Sequence, residues 1–445
     1  MSIDHRPPTS SQNRFVARVP GSKSYTNRAL VLAAQRLGTT EIVGGLHCDD
    51  TERLASALSM FDGLDAVKTE GGFRVTRTAE RLSAHGAELN MGAAGTPARF
   101  MLSFAAAAEG SAVVTGTPRL CDRPMGDLLD TFAAIGVRYE CLGKPGCLPV
   151  RVHGSRPTRD EWTVSGETSS QFTSSLLLYA AQQDAGEIRV RITGNLVSRP
   201  YVEMTVAMMK QCGIDVAWQA RDCLTVKPSR PAAARIQVEV DASGMSYFLA
   251  AAAATRTTLT IPGIGGGSAQ GDVGLARAFE RMGCQVELGA DSITLTGAPL
   301  TGIDIDMETM PDVVLTLAAV APLADGVTRI RNIHNLRLKE CDRIHAAAKE
   351  LERLGVSVEE GRDFLVIQPG ARLRPARIHT YDDHRVAMAF AVLGLCHEGV
   401  EIEDPDCVGK SFPGFWDELA RLVRHHRDAG TALSSPKPLW RGAGL

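Results

Sequence analysis

One local pattern returns six times along the chain, and its spacing limits what the chain can fold into. Small or polar residues at Ser22, Gly95, Ser169, Ser243, Pro311 and Asp383 each open an Ala/Leu-rich apolar stretch, and the successive spacings are 73, 74, 74, 68 and 72 residues. A Gly or acidic turn usually follows each stretch, then a strand-like run, as in TNRALVLAAQRLGTTEIVGG over 26–45 and DHRVAMAFAVLGLCHEGVEIED over 383–404. Such a period implies copies of one supersecondary unit, none of which buries its apolar face alone.

A second signal runs out of phase with the first. LLDTFAAIGVRYECL (128–142), MMKQCGIDVAWQ (208–219), FERMGCQVELG (279–289) and ELERLGVSVEEG (350–361) each read as an amphipathic helix ending in Gly, then an alternating strand. The glycines are Gly136, Gly213, Gly283 and Gly355, spaced 77, 70 and 72 residues, with a weaker copy near Gly63. Gly is the residue expected just past a helix end, where the left-handed conformation is needed. A unit therefore reads strand–helix–strand–helix–strand–strand, and six units fit two domains of three. The segments FVARVPGSK (15–23) and RPAAARIQVEVDASG (230–244) are the expected crossovers. That places 1–20 with 241–425 in one domain and 21–240 in the other. Residues 426–445 lose the period and collect Gly, Pro and Ser, so a flexible tail is expected there.

Composition narrows the function. A net charge of −3 over 445 residues gives no basic field for nucleic acid or a membrane surface, and 5% aromatic content offers few stacking platforms. The ten cysteines are dispersed without a CxxC pair, and no His cluster has zinc spacing, so no metal site is expected. The polar start lacks an apolar run, and the longest apolar stretches, near 313–324 and 386–396, are too short to span a bilayer. A reduced, cytoplasmic enzyme is the expectation.

What chemistry the chain can do is concentrated at the repeat openings. A helix N-terminus presents unpaired N–H groups and a partial positive charge, so several such ends suit a multiply anionic small molecule. PGSKSYTNRA (20–29) brings Lys23, Ser24 and Arg28 to a strand-to-helix turn. GAAGTPAR (92–99) allows close backbone approach at Gly95, and CDRPMGDL (121–128) adds Arg123. ETSSQF (167–172) stacks Ser169, Ser170 and Gln171, and LVSRPYVEM (196–204) supplies Ser198, Arg199 and Tyr201. MPDVV (310–314) carries Asp312; NIHNLRLKECDRI (332–344) carries Asn335, Lys339, Glu340 and Arg343; YDDHRVAMAF (381–390) and GKSFPGF (409–415) add His384, Arg385 and Lys410. Any one loop reads equally well as an ordinary helix cap or a solvated ion pair. Together they place two carboxylates among several cations, which is what proton transfer on a phosphorylated substrate requires.

These segments, in this order from about Arg18 to Leu422, resemble the 5-enolpyruvylshikimate-3-phosphate synthase family of enolpyruvyl transferases. The resemblance implies an α/β, two-domain inside-out barrel, each domain holding three βαβαββ units about a pseudo-threefold axis. It implies transfer of the enolpyruvyl group of phosphoenolpyruvate to the 5-hydroxyl of shikimate 3-phosphate with release of phosphate, by a monomer that uses no metal or organic cofactor. Carried over by position, Ser24, Arg28, Ser169, Ser170, Gln171, Ser198, Tyr201, Asp312, Asn335 and Lys339 would hold shikimate 3-phosphate. Lys23, Gly95, Arg123, Gln171, Arg343, Arg385 and Lys410 would hold phosphoenolpyruvate. Asp312 would be the base, Glu340 the acid, and Lys23 an aid to phosphate departure.

Four positions depart from the family's usual pattern: Ala93 stands for Asn, Phe100 for Pro, and Glu167 and Thr168 precede the serine pair where small neutral residues are usual. A paralogous transferase with another acceptor is the alternative these departures leave open. A UDP-N-acetylglucosamine transferase fits less well, because the first loop reads KSYTNR. A catalytically silent phosphometabolite binder would have no need of both carboxylates.

Overall fold

All six repeat openings begin helices. The computed structural model describes residues 14–369, 372–430 and 433–439. Ser22 caps Lys23–Gln35, Gly95 begins Gly95–Ala107, and Ser169 caps Ser170–Ala180. Ser243 is the second residue of Ala242–Thr255 behind an Asp241 cap. Pro311 begins a 3-10 turn, Pro311–Val313, that runs into Val314–Val320, and Asp383 caps His384–Leu393. The caps are chemical as well as positional. Ser22 accepts from the Tyr25 N–H, Asp241 from Gly244 and Asp383 from Arg385, satisfying donors that the helix cannot.

These helices have almost no solvent face. Every residue from Ala242 to Ala253 is buried, as is every residue of His384–Leu393. A helix apolar all round belongs in a core, and the run of Ala allows several to approach closely. Two apolar cores result. One gathers Tyr25 through Val238, and the other gathers Phe15 and Ala17 with Ala242 through Val423. Polar pins fix the helices within each core. Ser175 Oγ donates to Arg99 O at 2.7 Å, Gln35 Nε2 to Leu178 O at 3.0 Å, and Ser246 Oγ lies 3.0 Å from Thr316 Oγ1.

Among the described residues six sheets surround these helices, and five have the same four-stranded plan. In one, Ala87–Asn90 and Ser111–Thr115 run parallel, joined by the buried helix between them, and the hairpin Tyr139–Cys141/Val150–His153 adds antiparallel. The units 161–227 and 304–367 repeat this. In the first and fourth units the opening strands are exchanged. Arg235–Gln237 pairs with Gly38–Val43, while Arg14–Val16 pairs with Thr258–Pro262. The chain thus passes between the cores twice, and the two passages touch: Ser22 N donates to Glu239 O at 2.7 Å and Asp241 N to Pro20 O at 2.9 Å. Gly21 sits at this crossing because a Cβ there would lie 1.8 Å from Gly44 O. The helix-ending glycines Gly136, Gly213, Gly283 and Gly355 have φ of 83°, 83°, 110° and 86°, as their positions require.

The last unit breaks the plan. Its three strands, Ala376–Ile378, Val400–Glu403 and Lys437–Leu439, are all parallel. The chain after Glu403 folds into Pro405–Lys410 and the helix Phe415–Asp428 instead of a hairpin. This corrects the flexible-tail expectation for part of 426–445: the helix extends to Asp428 with His426 1% exposed, and Lys437–Leu439 joins the sheet. Edge pairing uses main-chain groups, so a Gly/Pro/Ser-rich composition does not reveal it. Residues 431–432 and 440–445 of that expected tail lie outside the described residues. Among the described residues no helix is long and apolar enough to cross a membrane.

Candidate active site

Five of the six helix openings line one cleft between the two cores, with Lys23, Gly95, Ser169, Asp312 and Arg385 on its wall. The side formed by residues 21–240 contributes Ser24, Thr96, Arg99, Arg123, Ser170, Gln171, Ser198 and Tyr201. The other side contributes Asn335, Lys339, Glu340, Arg343 and His384. The sides already touch. Arg119 donates to the Glu340 and Lys339 carbonyls at 2.9 Å each, Lys410 Nζ to Ala93 O at 2.8 Å, and Asn335 Nδ2 to Ser198 Oγ at 3.1 Å.

Asp312 and Glu340 share a guanidinium. Arg343 Nη1 is 3.2 Å from Asp312 Oδ1 and its Nη2 is 2.9 Å from Glu340 Oε2, while its Nε donates to Asp383 at 2.7 Å. Asp312 also meets Arg385 Nη2 at 2.8 Å and Lys339 Nζ at 3.4 Å. Burial alone would raise its pKa, but Arg385, then Lys339 and Arg343, hold it well below the usual carboxylate range. Glu340 meets Lys410 at 3.4 Å and Arg123 at 3.8 Å. Burial again pushes up, and Lys410, Arg343 and Arg123 pull the carboxyl well down. Both groups are held as carboxylates by these cations.

Lys23 is paired with Asp50 at 2.9 Å. Burial, the largest influence, would lower its pKa, but Asp50 together with Glu340 and Cys48 raises it overall, so the ammonium stays charged. Arg123 lies against Gly95, where a Cβ would stand 2.6 Å from its Nη1; only Gly admits the guanidinium there. His384 is fully buried with neither ring nitrogen hydrogen-bonded among the described residues. Burial, then Lys23, drive its pKa well below the ordinary value, so it is neutral.

Two expected ligands sit differently from the rest. Arg28 does not line the cleft; it is 1% exposed and donates to Thr205 Oγ1, Ser24 O, Ser174 Oγ and Tyr201 O. Four acceptors on three helices take four of its five N–H donors, so it holds the Ser24 and Tyr201 backbones in place. Lys410 stands behind the wall and reaches in only through Glu340. The departures from the family pattern are accommodated. Ala93 offers its carbonyl to Lys410, Phe100 is 1% exposed beneath Arg28, and Glu167 is exposed and not on the cleft wall.

Sequence reasoning missed several contributors. Asp50 fixes Lys23, and Arg99 Nη1 donates to Gln171 Oε1 at 2.5 Å. Asp272, in the QGD segment, contacts Tyr201 and Ser243. The only available signals were a helix-opening acid pair at 49–50 and a three-residue motif, and neither specifies a partner.

Comparison with known proteins identifies the family and the fold. The sequence profile of the EPSP synthase (3-phosphoshikimate 1-carboxyvinyltransferase) family matches residues 8–419. The chain is 39% identical over 417 residues to a 3-phosphoshikimate 1-carboxyvinyltransferase of Shewanella denitrificans, covering 91% of this chain and 96% of that one. It is 40% identical over 413 residues to the enzyme of the same name from Vibrio vulnificus, covering 91% and 95%. The solved EPSP synthase of Acinetobacter baumannii superposes with a TM-score of 0.76 at 24% identity, covering 93% of this chain and 97% of that one. The enolpyruvyl transferase NikO of Streptomyces tendae superposes at 0.69 with 19% identity, covering 92% and 95%. These last two are likenesses of fold.

Proposed function

The chain belongs to the EPSP synthase family and transfers the enolpyruvyl group of phosphoenolpyruvate to the 5-hydroxyl of shikimate 3-phosphate, and we propose that it does so with Asp312 as base and Glu340 as acid. The observation that carries the assignment is Arg343, whose single guanidinium binds both carboxylates in the cleft at 3.2 and 2.9 Å. Asp312 draws the proton from the acceptor hydroxyl as its oxygen attacks C2 of phosphoenolpyruvate. Glu340 protonates C3. In the elimination step C3 returns a proton and the C2–O bond to phosphate breaks, with Lys23 beside the departing oxygen.

Lys410, Arg343 and Arg123 surround Glu340 and, against its burial, hold it as a carboxylate. The phosphate and carboxylate of phosphoenolpyruvate compete for those cations and add negative charge, and both effects raise the Glu340 pKa toward the acid form it needs. The ligand sets follow the same logic. Ser24, Ser169, Ser170, Gln171, Ser198, Tyr201, Asn335 and Lys339 hold shikimate 3-phosphate, with Arg28 positioning two of them from behind. Lys23, the Gly95 loop, Arg123, Gln171, Arg343, Arg385 and Lys410 hold phosphoenolpyruvate.

The proposal extends to the architecture. Each core is a domain of three repeats about a pseudo-threefold axis, an inside-out α/β barrel; five repeats follow the βαβαββ plan, and the last closes with Pro405–Lys410, Phe415–Asp428 and a parallel strand instead of a hairpin. Of the described residues, 14–20 with those from 241 through the strand Lys437–Leu439 form one domain and 21–240 the other; the shared sheet order and the exchanged opening strands support this. A cleft completed within one chain and ten unpaired cysteines support a cytoplasmic monomer. Another acceptor is not favoured, since relatives near 40% identity share the one name. Phosphate release from purified protein tests the assignment. It should require both phosphoenolpyruvate and shikimate 3-phosphate and yield the enolpyruvyl ether; release without the acceptor, or none from folded protein, refutes it.

A further inference from the structure

Asp312 makes an odd base. The cations that hold its carboxyl well below the ordinary range also make it a poor resting place for a proton. A second carboxylate lies one phenol away. Tyr201 OH is 3.1 Å from Asp312 Oδ2 and 3.4 Å from Asp272 Oδ2. Asp272 stands on the short turn Gly271–Val273, is 3% exposed, and accepts from Ser243 Oγ through the same Oδ2. Its Oδ1 is buried with no hydrogen-bond partner among the described residues.

The phenol has one proton, and two carboxylate oxygens face it. With both carboxyls ionised it donates to only one of them at a time, so the trio has room for one further proton. Arg385, Arg343 and Lys339 surround Asp312, so it keeps its charge. Among the described residues no cation is paired directly with Asp272. The groups facing it are Asp312, Asp241, Tyr201, Ser243 and Arg385, mostly anionic or neutral.

We propose that Asp272 is the resting place of the proton that Asp312 draws from the acceptor hydroxyl, delivered through the Tyr201 phenol. The step balances. The acceptor O–H bond breaks and its electron pair stays on the attacking oxygen. The proton bonds to Asp312, a proton passes from Asp312 to the phenol oxygen, and the phenol gives its own proton to Asp272. Tyr201 ends as it began, and Asp272 changes from carboxylate to carboxylic acid. Burial, then the Asp312 charge, push the Asp272 pKa up to about 7, which suits a group that takes and returns a proton near neutrality. Burial, then Asp272 and Asp312, raise Tyr201 well above its ordinary value, so the phenol relays without ionising. Asp272 is a positioning residue, acting through Asp312, and the inference rests on the reading of Asp312 as base.

The test is the pH dependence of kcat across the neutral range, with both substrates saturating. Turnover in the unchanged enzyme should rise through the Asp272 ionisation, since Asp272 must be a carboxylate to accept. Asp272→Asn should lower kcat about tenfold or more, leave both KM values nearly unchanged, and abolish that ionisation. Asp272→Glu should restore part of it. Substrate phosphates titrate identically in all variants, so the difference between profiles isolates the residue. Should Asp272→Asn fail to fold, Ser243→Ala removes a donor that favours the charged form and should move the limb to higher pH. An unchanged profile in Asp272→Asn, or an unmoved limb in Ser243→Ala, overturns the proposal. Asp312→Asn separates the two readings: if it loses turnover while Asp272→Asn keeps the parental profile, the base stands and the relay falls.

Discussion

The two walls of the cleft are built from the same repeat but do opposite chemistry. The wall from residues 21–240 presents mostly neutral groups: Ser24, Ser169, Ser170, Gln171, Ser198 and Tyr201. Its helices open on Ser22, Gly95 and Ser169. The wall from 241–425 presents Asp312, Lys339, Glu340, Arg343 and Arg385, and its first and third core helices are capped by Asp241 and Asp383. A neutral hydroxyl orients a phosphate or sugar at little electrostatic cost, whereas a buried carboxylate persists only among cations. One wall is thus suited to holding and the other to moving protons. The charged exceptions are Lys23 with its partner Asp50, Arg123, which meets Glu340 across the cleft, and Arg99, which donates to Gln171.

The strongest way to break this contrast is to neutralise the charged wall. Asp312→Asn and Glu340→Gln should each lower turnover about 10²- to 10⁴-fold while binding changes far less. Single-turnover kinetics with measured substrate affinities would check this, and near-parental turnover in either variant removes that residue from proton transfer. Next in size is Arg343→Met. It takes from buried Asp383 its arginine partner, whose side chain is only 2% exposed, and from Asp312 and Glu340 one of the three cations that each meets. Unpairing buried charge costs about 3–5 kcal/mol, readable as a lower denaturant midpoint.

How much of this was legible depends on the range of the interaction. Ser22, Ser169 and Asp383 open helices because their side chains bond donors two or three residues on, and that range lies within the sequence pattern. Gly136 and Gly355 end helices for equally local reasons. The exchanged strands were legible as strands and as candidate crossovers, but no residue of Arg14–Val16 says that its partner is Thr258–Pro262. The roles of Asp272, Asp50 and Arg99 come from contacts across the fold, and each alone reads as a common surface or capping residue. Arg28 shows the reverse. Its motif is plain, but its burial among four acceptors, which ties Ser24 and Tyr201 to it, comes from contacts across the fold.

The stability of the charged wall should also depend on pH with two signs. Asp312 and Glu340 have depressed folded values, so their contribution is present above the unfolded values near 4 and is lost as pH falls below them. Asp272 is raised to about 7, so between roughly pH 4 and 7 the folded state binds the extra proton and stability falls as pH rises. Asp272→Asn should flatten that fall, measured as the urea midpoint across the range; an unaltered slope would place the Asp272 pKa elsewhere. On the neutral wall, Gly95→Ala sets a methyl 2.6 Å from Arg123 Nη1. The guanidinium must move, so KM for phosphoenolpyruvate should rise about tenfold while kcat changes less. Steady-state kinetics at varied phosphoenolpyruvate would check this, and an unchanged KM would remove Arg123 from the binding set.

The smallest effect concerns how the walls meet. Arg119 spans the cleft mouth with two donors, each 2.9 Å from the Lys339 and Glu340 carbonyls, so it grips the charged wall by its backbone. It is exposed, and a hydrogen bond of this kind contributes about 0.5–1.5 kcal/mol net. Arg119→Ala should therefore raise both KM values by only a few fold, about 1 kcal/mol, and leave the pH profile unmoved. A larger loss confined to kcat would mean that Arg119 sets the position of Glu340 during the proton step, and the division between a holding wall and a proton-moving wall would then have to be redrawn to include it.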